Sequence, residues 1–426
     1  MNKKSSPVFA AGVSAHAETS FAIDQACTQC LGTLSSKTTD VDFAIVSYTS
    51  HHIPESLAIA QRVKASLRAK HIIGISTQAV IGGSFELEGT AGISILAAHL
   101  PQVQVLPITS ESLPMLFDSP QGQAKIIESV GGGEGLSGLI ILADPFSTPV
   151  IRTLPTLHTC IRRRDGSAAP IVGGMASSGQ SPGENTLLSA TGEPVQNAGF
   201  VGLALRGPIR LDAVVSQGCA PLGPNLVITK ANRNLIMELG GRNALEVVRE
   251  ILDEVPEENR AAVRAGLFLG RVINEYREQF GRGDYLIRPI LGVDENTQSI
   301  AVGDLIRAGQ TVRLHVRDAI TAKEDLAMLM DMQRLHGSPA GCLLVSCNGR
   351  GQKLFGKANV DAATVASAFD QVIPGERRAK IGHAIDTDPG PVPVAGFFAQ
   401  GEFGPIGAES YLHNHTAVAT MFRSES

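Results

Sequence analysis

The chain has 426 residues, 43% of them hydrophobic, so it is long enough for two or three domains with full apolar cores. Aromatic residues make up 4%, tryptophan is absent and the net charge is −5, which argues against base-stacking platforms and against general binding to nucleic acid or anionic membranes. No run of about 18 apolar residues predicts a membrane helix. The six cysteines are sparse and irregularly spaced, so a reducing, cytoplasmic location is expected rather than a disulfide framework.

The first half of the chain contains two units with the same order of predicted elements. Residues 41–50 predict a buried strand, 54–69 a helix with apolar residues at helical spacing, and 71–100 two strands separated by a glycine-rich turn. A second unit begins with an apolar strand at 138–149 and closes with one at 197–207. Each unit is therefore predicted to contain at least one parallel crossover.

A different segment follows, before a third unit. Residues 245–255, 260–280 and 321–335 predict helices. Residues 284–318 alternate apolar and polar side chains and predict strands, with a hairpin turn at 294–297.

The third unit lies at the C-terminal end. Residues 340–351 predict a strand and a polar loop, 361–373 a helix, and 393–407 and 413–422 further strands. Since all three units read strand–helix–strand–strand, we expect an α/β fold with mixed sheets and two related domains built from one duplicated module. The predicted domains are residues 1–230 and 231–426.

Motifs in both halves resemble those of FIST proteins. In the C-terminal half they are YLIRPILGVD (285–294), GQTVRLHVRD (309–318), LLVSCNGRG (343–351), GFFAQGEFGPIG (396–407) and YLHNHTA (411–417). In the N-terminal half they are VIGGSFELEG (80–89), PIVGGMASS (170–178) and SQGCAPLGP (216–224). The chain is thus similar to a FIST N-terminal domain followed by a FIST C-terminal domain. The resemblance implies a sensory module of bacterial signal transduction that binds a small ligand such as an amino acid. In eukaryotic F-box proteins the same pair of domains implies recognition of protein substrates.

The loop SCNGRG (346–351) is the most suggestive local motif, because ligands in open αβ sheets bind beyond the carboxyl ends of strands. Ser346 and Asn348 supply hydrogen-bonding groups, Gly349 allows close backbone approach, and Arg350 can pair bidentately with a carboxylate. The alternative interpretation is a tight turn with a solvated arginine. Cys347 is a candidate nucleophile if a histidine lies nearby, although a buried free thiol is the more common situation.

A second group of polar residues follows near the C-terminus. Glu402 lies in a glycine-bounded turn, and His413 and His415 share one strand face, so the three together would be acceptable to zinc or iron. Hydrogen bonding that ties the turn to neighbouring loops, with Asn414, is the favoured interpretation. Arg317 ends a strand and is expected to face a cleft between the domains.

The sequence therefore predicts a ligand site between the strand-end loops of the two domains, with Arg350 or Arg317 holding a ligand carboxylate. The predicted ligand-binding residues are Ser346, Cys347, Asn348, Gly349, Arg350, Arg317, Glu402, His413 and Asn414. No catalytic residue, metal or cofactor is expected. The expected partners are a small polar ligand and a signalling protein, with no nucleic acid and no membrane. Two alternatives stay open: a protein-recognition module without a small ligand, and a cysteine-dependent enzyme that uses Cys347.

Overall fold

The chain folds into two structural units. The structure, a computed structural model, describes residues 6–34, 40–110, 119–132, 135–163, 165–257, 260–369 and 392–425. Unit 1 comprises residues 1–215, 326–412 and 417–426, and unit 2 comprises residues 216–325 and 413–416. The division into sequence domains at residue 230 stays a prediction.

Unit 1 contains three six-stranded sheets within the described residues. Sheet A has the order β1 (Val8–Ser14), β6 (Ile93–His99), β2 (Val41–Thr49), β3 (Ala69–Thr77), β10 (Leu187–Leu188), β11 (Val195–Gln196). Sheet B has the order β13 (Ile209–Gln217), β25 (Thr416–Ser424), β21 (Gly341–Cys347), β22 (Val394–Ala399), β4 (Ala79–Gly82), β5 (Phe85–Glu88). Sheet C has the order β24 (Glu409–His413), β23 (Glu402–Ile406), β9 (Ile171–Met175), β8 (Leu136–Ala143), β12 (Phe200–Arg206), β7 (Gln104–Thr109).

Each sheet is mixed, as predicted. The pairs β2–β3, β8–β9 and β21–β22 are parallel, and the pairs β2–β6, β8–β12 and β21–β25 are antiparallel. The helices of the described residues are α1 (Thr19–Leu34), α2 (Ser56–Leu67), α3 (Pro120–Ser129), α4 (Val150–Cys160), α5 (Ala244–Asp253), α6 (Arg260–Ala265), α7 (Ala319–Arg334), α8 (Gln352–Phe355) and α9 (Val360–Ser367). Helix α2 joins β2 to β3 and α4 joins β8 to β9, as a parallel crossover requires. The α/β fold class is confirmed. The origin of the three strand–helix–strand–strand modules by duplication stays a hypothesis.

The three sheets exchange hairpins in a cycle. After β3 of sheet A the chain forms β4–β5, and β4 pairs with β22 of sheet B. After β9 of sheet C it forms β10–β11, and β10 pairs with β3 of sheet A. After β22 of sheet B it forms β23–β24, and β23 pairs with β9 of sheet C. Each sheet is therefore completed by strands that follow a parallel pair in another sheet.

The inner faces of all three sheets meet in one apolar core. Side chains alternate between the faces of a strand, so every strand of a covered sheet contributes to two cores. The shared core includes Phe43 of sheet A, Leu142 of sheet C and Phe397 of sheet B. The outer faces are covered by α1 and α2 on sheet A, α3 and α4 on sheet C, and α7 and α9 on sheet B.

Unit 2 is built on one sheet that closes on itself. Its order is β14 (Cys219–Asn232), β20 (Thr311–Arg317), β17 (Leu267–Val272), β18 (Tyr285–Asp294), β19 (Ser299–Val302), β15 (Leu235–Leu239), β16 (Arg242–Asn243), with β15 also paired to β14. Val247 and Val248 of α5 pack with Leu269 and Leu314 inside this barrel. The predicted hairpin turn between β18 and β19 is confirmed, one residue later than expected, at residues 295–298.

Two local predictions in this segment were wrong. The predicted helix 260–280 is helical at Arg260–Ala265 and becomes strand β17 at Leu267–Val272. Gly266, at φ +147°, ends the helix, and pairing on both sides with β18 and β20 outweighs helical propensity for the apolar segment that follows. The sequence also predicts a loop at residues 216–225, just before the domain boundary at 230, but this segment is largely extended because Cys219 to Leu222 pair with β20.

No helix among the described residues is both long enough and apolar enough to cross a membrane.

Helix α1 approaches β1 closely at a glycine, which makes this contact testable. A Cβ at Gly12 would lie 2.0 Å from the backbone oxygen of Ala26, whereas a Cβ at Gly32 on the same helix meets nothing within 4 Å. We predict that Gly12→Ala destabilises the protein by about 1–3 kcal/mol through overpacking. Gly32→Ala should stabilise it by up to about 1 kcal/mol because glycine weakens an exposed helix. Urea unfolding of both variants measures the difference, and equal midpoints would contradict the close packing of α1 on β1.

Candidate functional site

The loop that follows β21 is positioned by the two strands on either side. All seven residues of β21 are buried, between parallel β22 and antiparallel β25. Beyond its last residue, Cys347, the Asn348 backbone N–H donates to the carbonyl of Ala399 at 2.9 Å, and the Arg350 N–H donates to the carbonyl of Cys347 at 2.8 Å. These bonds hold the loop as a tight turn at the carboxyl ends of two parallel strands, the location predicted from the sequence.

Arg350 forms a fully buried ion pair with Asp361. The Arg350 side chain is 1% exposed, and its Nε and Nη2 donate to the two Asp361 oxygens at 2.7 and 2.8 Å. The Ser346 hydroxyl donates to Asp361 Oδ2 at 2.8 Å. Burial lowers the pKa of Arg350, but the Asp361 carboxylate more than offsets this and leaves the pKa above its ordinary value. The bidentate carboxylate contact that the sequence analysis assigned to a ligand is therefore made by Asp361, in the first turn of α9.

Two buried polar atoms of this loop have no hydrogen-bond partner in the part of the chain that the structure describes. They are Arg350 Nη1, a donor, and Asn348 Oδ1, an acceptor. Cys347 and Glu402 lie close enough to Arg350 to favour its charged form electrostatically. Buried polar groups are nearly always hydrogen-bonded, so an unmatched donor and an unmatched acceptor on one turn point to a polar group that completes them.

Sequence reasoning missed Glu86, which caps the helix that carries Asp361. Glu86 is 4% exposed on β5, and its carboxylate accepts the backbone N–H groups of Asn359 at 2.7 Å and Ala362 at 2.9 Å. In return, the Glu86 N–H donates to Asn359 Oδ1 at 2.7 Å. A carboxylate here satisfies free N–H groups of the first turn and interacts favourably with the helix dipole. Burial raises the pKa of Glu86 to about 7 in spite of these bonds.

Glu88, two residues after Glu86 on β5, binds the end of the SCNGRG turn. Its carboxylate oxygens accept the Gln352 backbone N–H at 3.0 and 3.2 Å. The preceding residue, Gly351, has φ +57°, and a Cβ there would lie 2.6 Å from the Glu88 oxygens. The second glycine of SCNGRG is thus required by its backbone conformation and by this carboxylate. Both glutamates belong to the motif VIGGSFELEG, where charged residues at alternate positions of an otherwise apolar hairpin were the available signal.

The structure divides the predicted site residues between the two units. Ser346, Cys347, Asn348, Gly349, Arg350 and Glu402 belong to unit 1, and Arg317, His413 and Asn414 belong to unit 2. Glu402 is buried at the start of β23, opposite Gly174 of β9. Arg317 is half-buried at the end of β20, opposite Cys219, and His413 is buried. Their role in ligand binding stays a prediction.

The described residues contain no group of three histidine, cysteine, aspartate or glutamate side chains arranged to hold a metal ion. All six cysteines are free and buried. Cys347 is 6% exposed, and its sulfur accepts the Gly349 N–H at 3.4 Å.

Two family models match most of the chain. Residues 42–242 match the FIST N domain, and residues 244–405 match the FIST C domain. The chain belongs to the FIST family. FIST domains are generally sensory domains of signal transduction. Two similar relatives are proteins described as uncharacterized, one from Mycobacterium tuberculosis and one from Mycobacterium bovis. Each is 31% identical over 382 residues, which covers 89% of this chain and 90% of the relative.

The buried ion pair between Arg350 and Asp361 should dominate the stability of the turn after β21. We predict that Asp361→Asn, which leaves Arg350 charged and buried, lowers the free energy of unfolding by about 3–5 kcal/mol. Asp24→Asn is the matched control, because Asp24 pairs with Arg62 at 2.9 Å on the exposed surface and should contribute less than about 1 kcal/mol. Urea unfolding monitored by circular dichroism measures both. Similar losses in the two variants would show that Arg350 does not depend on Asp361.

The raised pKa of Glu86 predicts that stability falls as the pH rises. The folded protein holds this proton up to about pH 7, whereas an unfolded glutamate releases it near 4.5, so folding is weakened progressively between these values. The loss should be on the order of 3 kcal/mol. Glu86→Gln should remove most of this slope, and the wild-type and variant curves from urea unfolding at pH 4.5 to 7.5 can be compared directly. Parallel curves would exclude Glu86 as the titrating group.

Proposed function

We propose that this FIST protein is a sensor that binds a small polar ligand, an amino acid or a similar metabolite, at the turn after β21. The observation that supports the proposal is the unmatched pair of buried atoms, Arg350 Nη1 and Asn348 Oδ1, within the described residues. An amino acid carries complementary groups: its carboxylate accepts from an arginine N–H, and its ammonium donates to an amide oxygen.

The ion pair prepares Arg350 for this role. Asp361 occupies Nε and Nη2 and holds the guanidinium plane in place, so binding at Nη1 need not immobilise a flexible side chain. Gly349 has no side chain to block approach to the backbone of the turn. In this proposal Ser346 acts through Asp361, and Cys347 and Glu402 contribute to the surroundings of the guanidinium.

The two glutamates of β5 offer a route for the signal. Glu88 binds the N–H of Gln352 at the end of the turn, and Glu86 binds the start of α9. A ligand that favours one arrangement of the turn would therefore shift the hairpin β4–β5, which completes sheet B. A signalling protein that contacts this hairpin could read the change. The cytoplasmic location expected from the cysteines belongs to the same proposal.

Thermal unfolding against the twenty amino acids and small carboxylates tests the proposal. A ligand at about 100 times its dissociation constant should add roughly 2.7 kcal/mol to the stability of the folded state. We expect a selective rise in Tm that Asn348→Ala removes. Asn197→Ala, which alters an exposed amide in unit 1, should keep the full response.

Either of two results would overturn the assignment. No response to any compound, with a stable wild-type protein, would favour the protein-recognition alternative, and a response that survives in Asn348→Ala would place the ligand elsewhere. If Asn348→Ala fails to fold, Asn348→Asp keeps the acceptor oxygen and should retain binding of the ammonium group.

A further inference from the structure

A second cluster of charges lies inside unit 2 and is independent of the site proposed above. Arg271 is on β17, Arg288 is on β18, and Asp304 follows β19. Arg288 lies opposite Leu269 in the β17–β18 register, and Arg271 is two residues beyond Leu269 on the same strand. Both arginines therefore share the sheet face of Leu269, which packs in the barrel core.

Both arginines bind the same oxygen of Asp304. Arg271 Nε and Arg288 Nε each lie 3.0 Å from Asp304 Oδ2, and Asp304 Oδ1 accepts the Leu305 N–H at 2.8 Å. One carboxylate thus faces two guanidinium groups, and both of its oxygens are already used. The local charge of these three side chains is +1.

This surplus charge is held in a largely dry environment. The Arg288 side chain is 8% exposed and that of Arg271 is 19% exposed. Burial lowers the pKa of Arg288, Asp304 opposes the shift, and the charge of Arg271 adds to it. An excess charge removed from water is costly unless a counter-charge accompanies it.

Arg271 has terminal N–H donors that Asp304 does not use. Its Nε is occupied by Asp304, and the side chain has no further hydrogen bond or ion pair with the residues that the structure describes. Its two terminal amino groups form the edge of the guanidinium that binds two oxygens of one anion side by side. A fifth of the side chain reaches solvent, which gives an anion access.

We propose that Arg271, supported by Arg288 and Asp304, is an oxyanion-binding site at the end of the unit 2 barrel. The ligand is a carboxylate or a phosphate group, since both present paired oxygens that match the guanidinium edge. Arg271 contacts the anion, and Asp304 and Arg288 hold its guanidinium in position.

Anion titrations of the full chain test this site. Tm is measured against inorganic phosphate, malonate and acetate at constant ionic strength, so that general screening is held fixed. We expect a saturable rise with at least one of them. A response to phosphate alone indicates a phosphate ligand, and a response to malonate or acetate alone indicates a carboxylate ligand. The apparent Kd should weaken at least tenfold in Arg271→Gln.

Arg313→Gln is the matched control, because Arg313 is a half-buried arginine of the same barrel whose Nε donates to the Gly223 carbonyl at 2.7 Å. It should keep the response, as should Asn348→Ala, which separates this site from the amino acid site of unit 1. If Arg271→Gln does not fold, the side-chain Nε–H resonances of the wild-type protein replace it, and that of Arg271 should move on titration while that of Arg313 does not.

No response to the three anions would overturn the proposal and leave the cluster as a purely structural triad. An undiminished response in Arg271→Gln, or equal movement of the two arginine resonances, would also overturn it.

Discussion

The exchange of hairpins among the three sheets is the constraint on which unit 1 depends. Sheet B is completed only when β4, which follows β3 of sheet A in the chain, pairs with β22. Residues 80–82 and 395–397 must therefore meet across more than three hundred residues of sequence. Sheets A and C have the same dependence on a hairpin from elsewhere. Pairings of such long range have a high loop-closure cost, and the large shared core must offset it. The three sheets are therefore coupled parts of one structure.

Glycines mark the places where this arrangement brings backbones together. A Cβ at Gly396 would lie 1.7 Å from the carbonyl oxygen of Leu344, its parallel neighbour in sheet B. At Gly173, where φ is +124°, the corresponding distance to the Ile141 oxygen in sheet C is 2.0 Å. Both positions lie on the second strand of a parallel pair. The glycine content of the chain therefore reflects close strand contacts as well as turns.

The same exchange assembles the candidate site. The turn after β21 belongs to the last part of the chain, and the carboxylates of Glu86 and Glu88 come from the first hairpin, more than 260 residues earlier. These two side chains reach the turn because β4–β5 completes sheet B, to which β21 also belongs. Burial raises the pKa of Glu86 to about 7, so we expect its contacts with α9 to respond to pH near neutrality.

The sequence was informative where the local pattern decides the structure. Continuous apolar runs predicted β2, β8 and β21, because a strand buried on both faces is apolar at every position. Helical spacing of apolar residues predicted α2 and α7, because a helix buried on one face is apolar at every third or fourth position. Residues 260–280 have the composition of a helix but contain a strand, since their neighbours β18 and β20 decide their conformation.

In the site, the polar turn was predicted from its position after a strand, whereas its partners were not. Arg350 was expected to await a ligand carboxylate, and Asp361, only eleven residues away, provides one. No local pattern distinguishes these outcomes, because the choice depends on how α9 packs against sheet B. Glu86 was not predicted for the same reason, because its partners are backbone N–H groups, which have no sequence signature.

The two arginine clusters differ in charge balance, and this difference separates their chemistry. Arg350 and Asp361 form a buried pair of opposite charges, with the buried Glu402 carboxylate near the guanidinium. Unmatched hydrogen-bonding groups of both kinds, a donor and an acceptor, remain at that turn, which suits the two charged groups of a zwitterion. Arg271 and Arg288 share a single carboxylate oxygen, so what is left over in the barrel is charge, which suits an anion. A buried arginine is thus informative about ligands only after its partners have been counted. Arg350 and Arg271 therefore suit different classes of ligand.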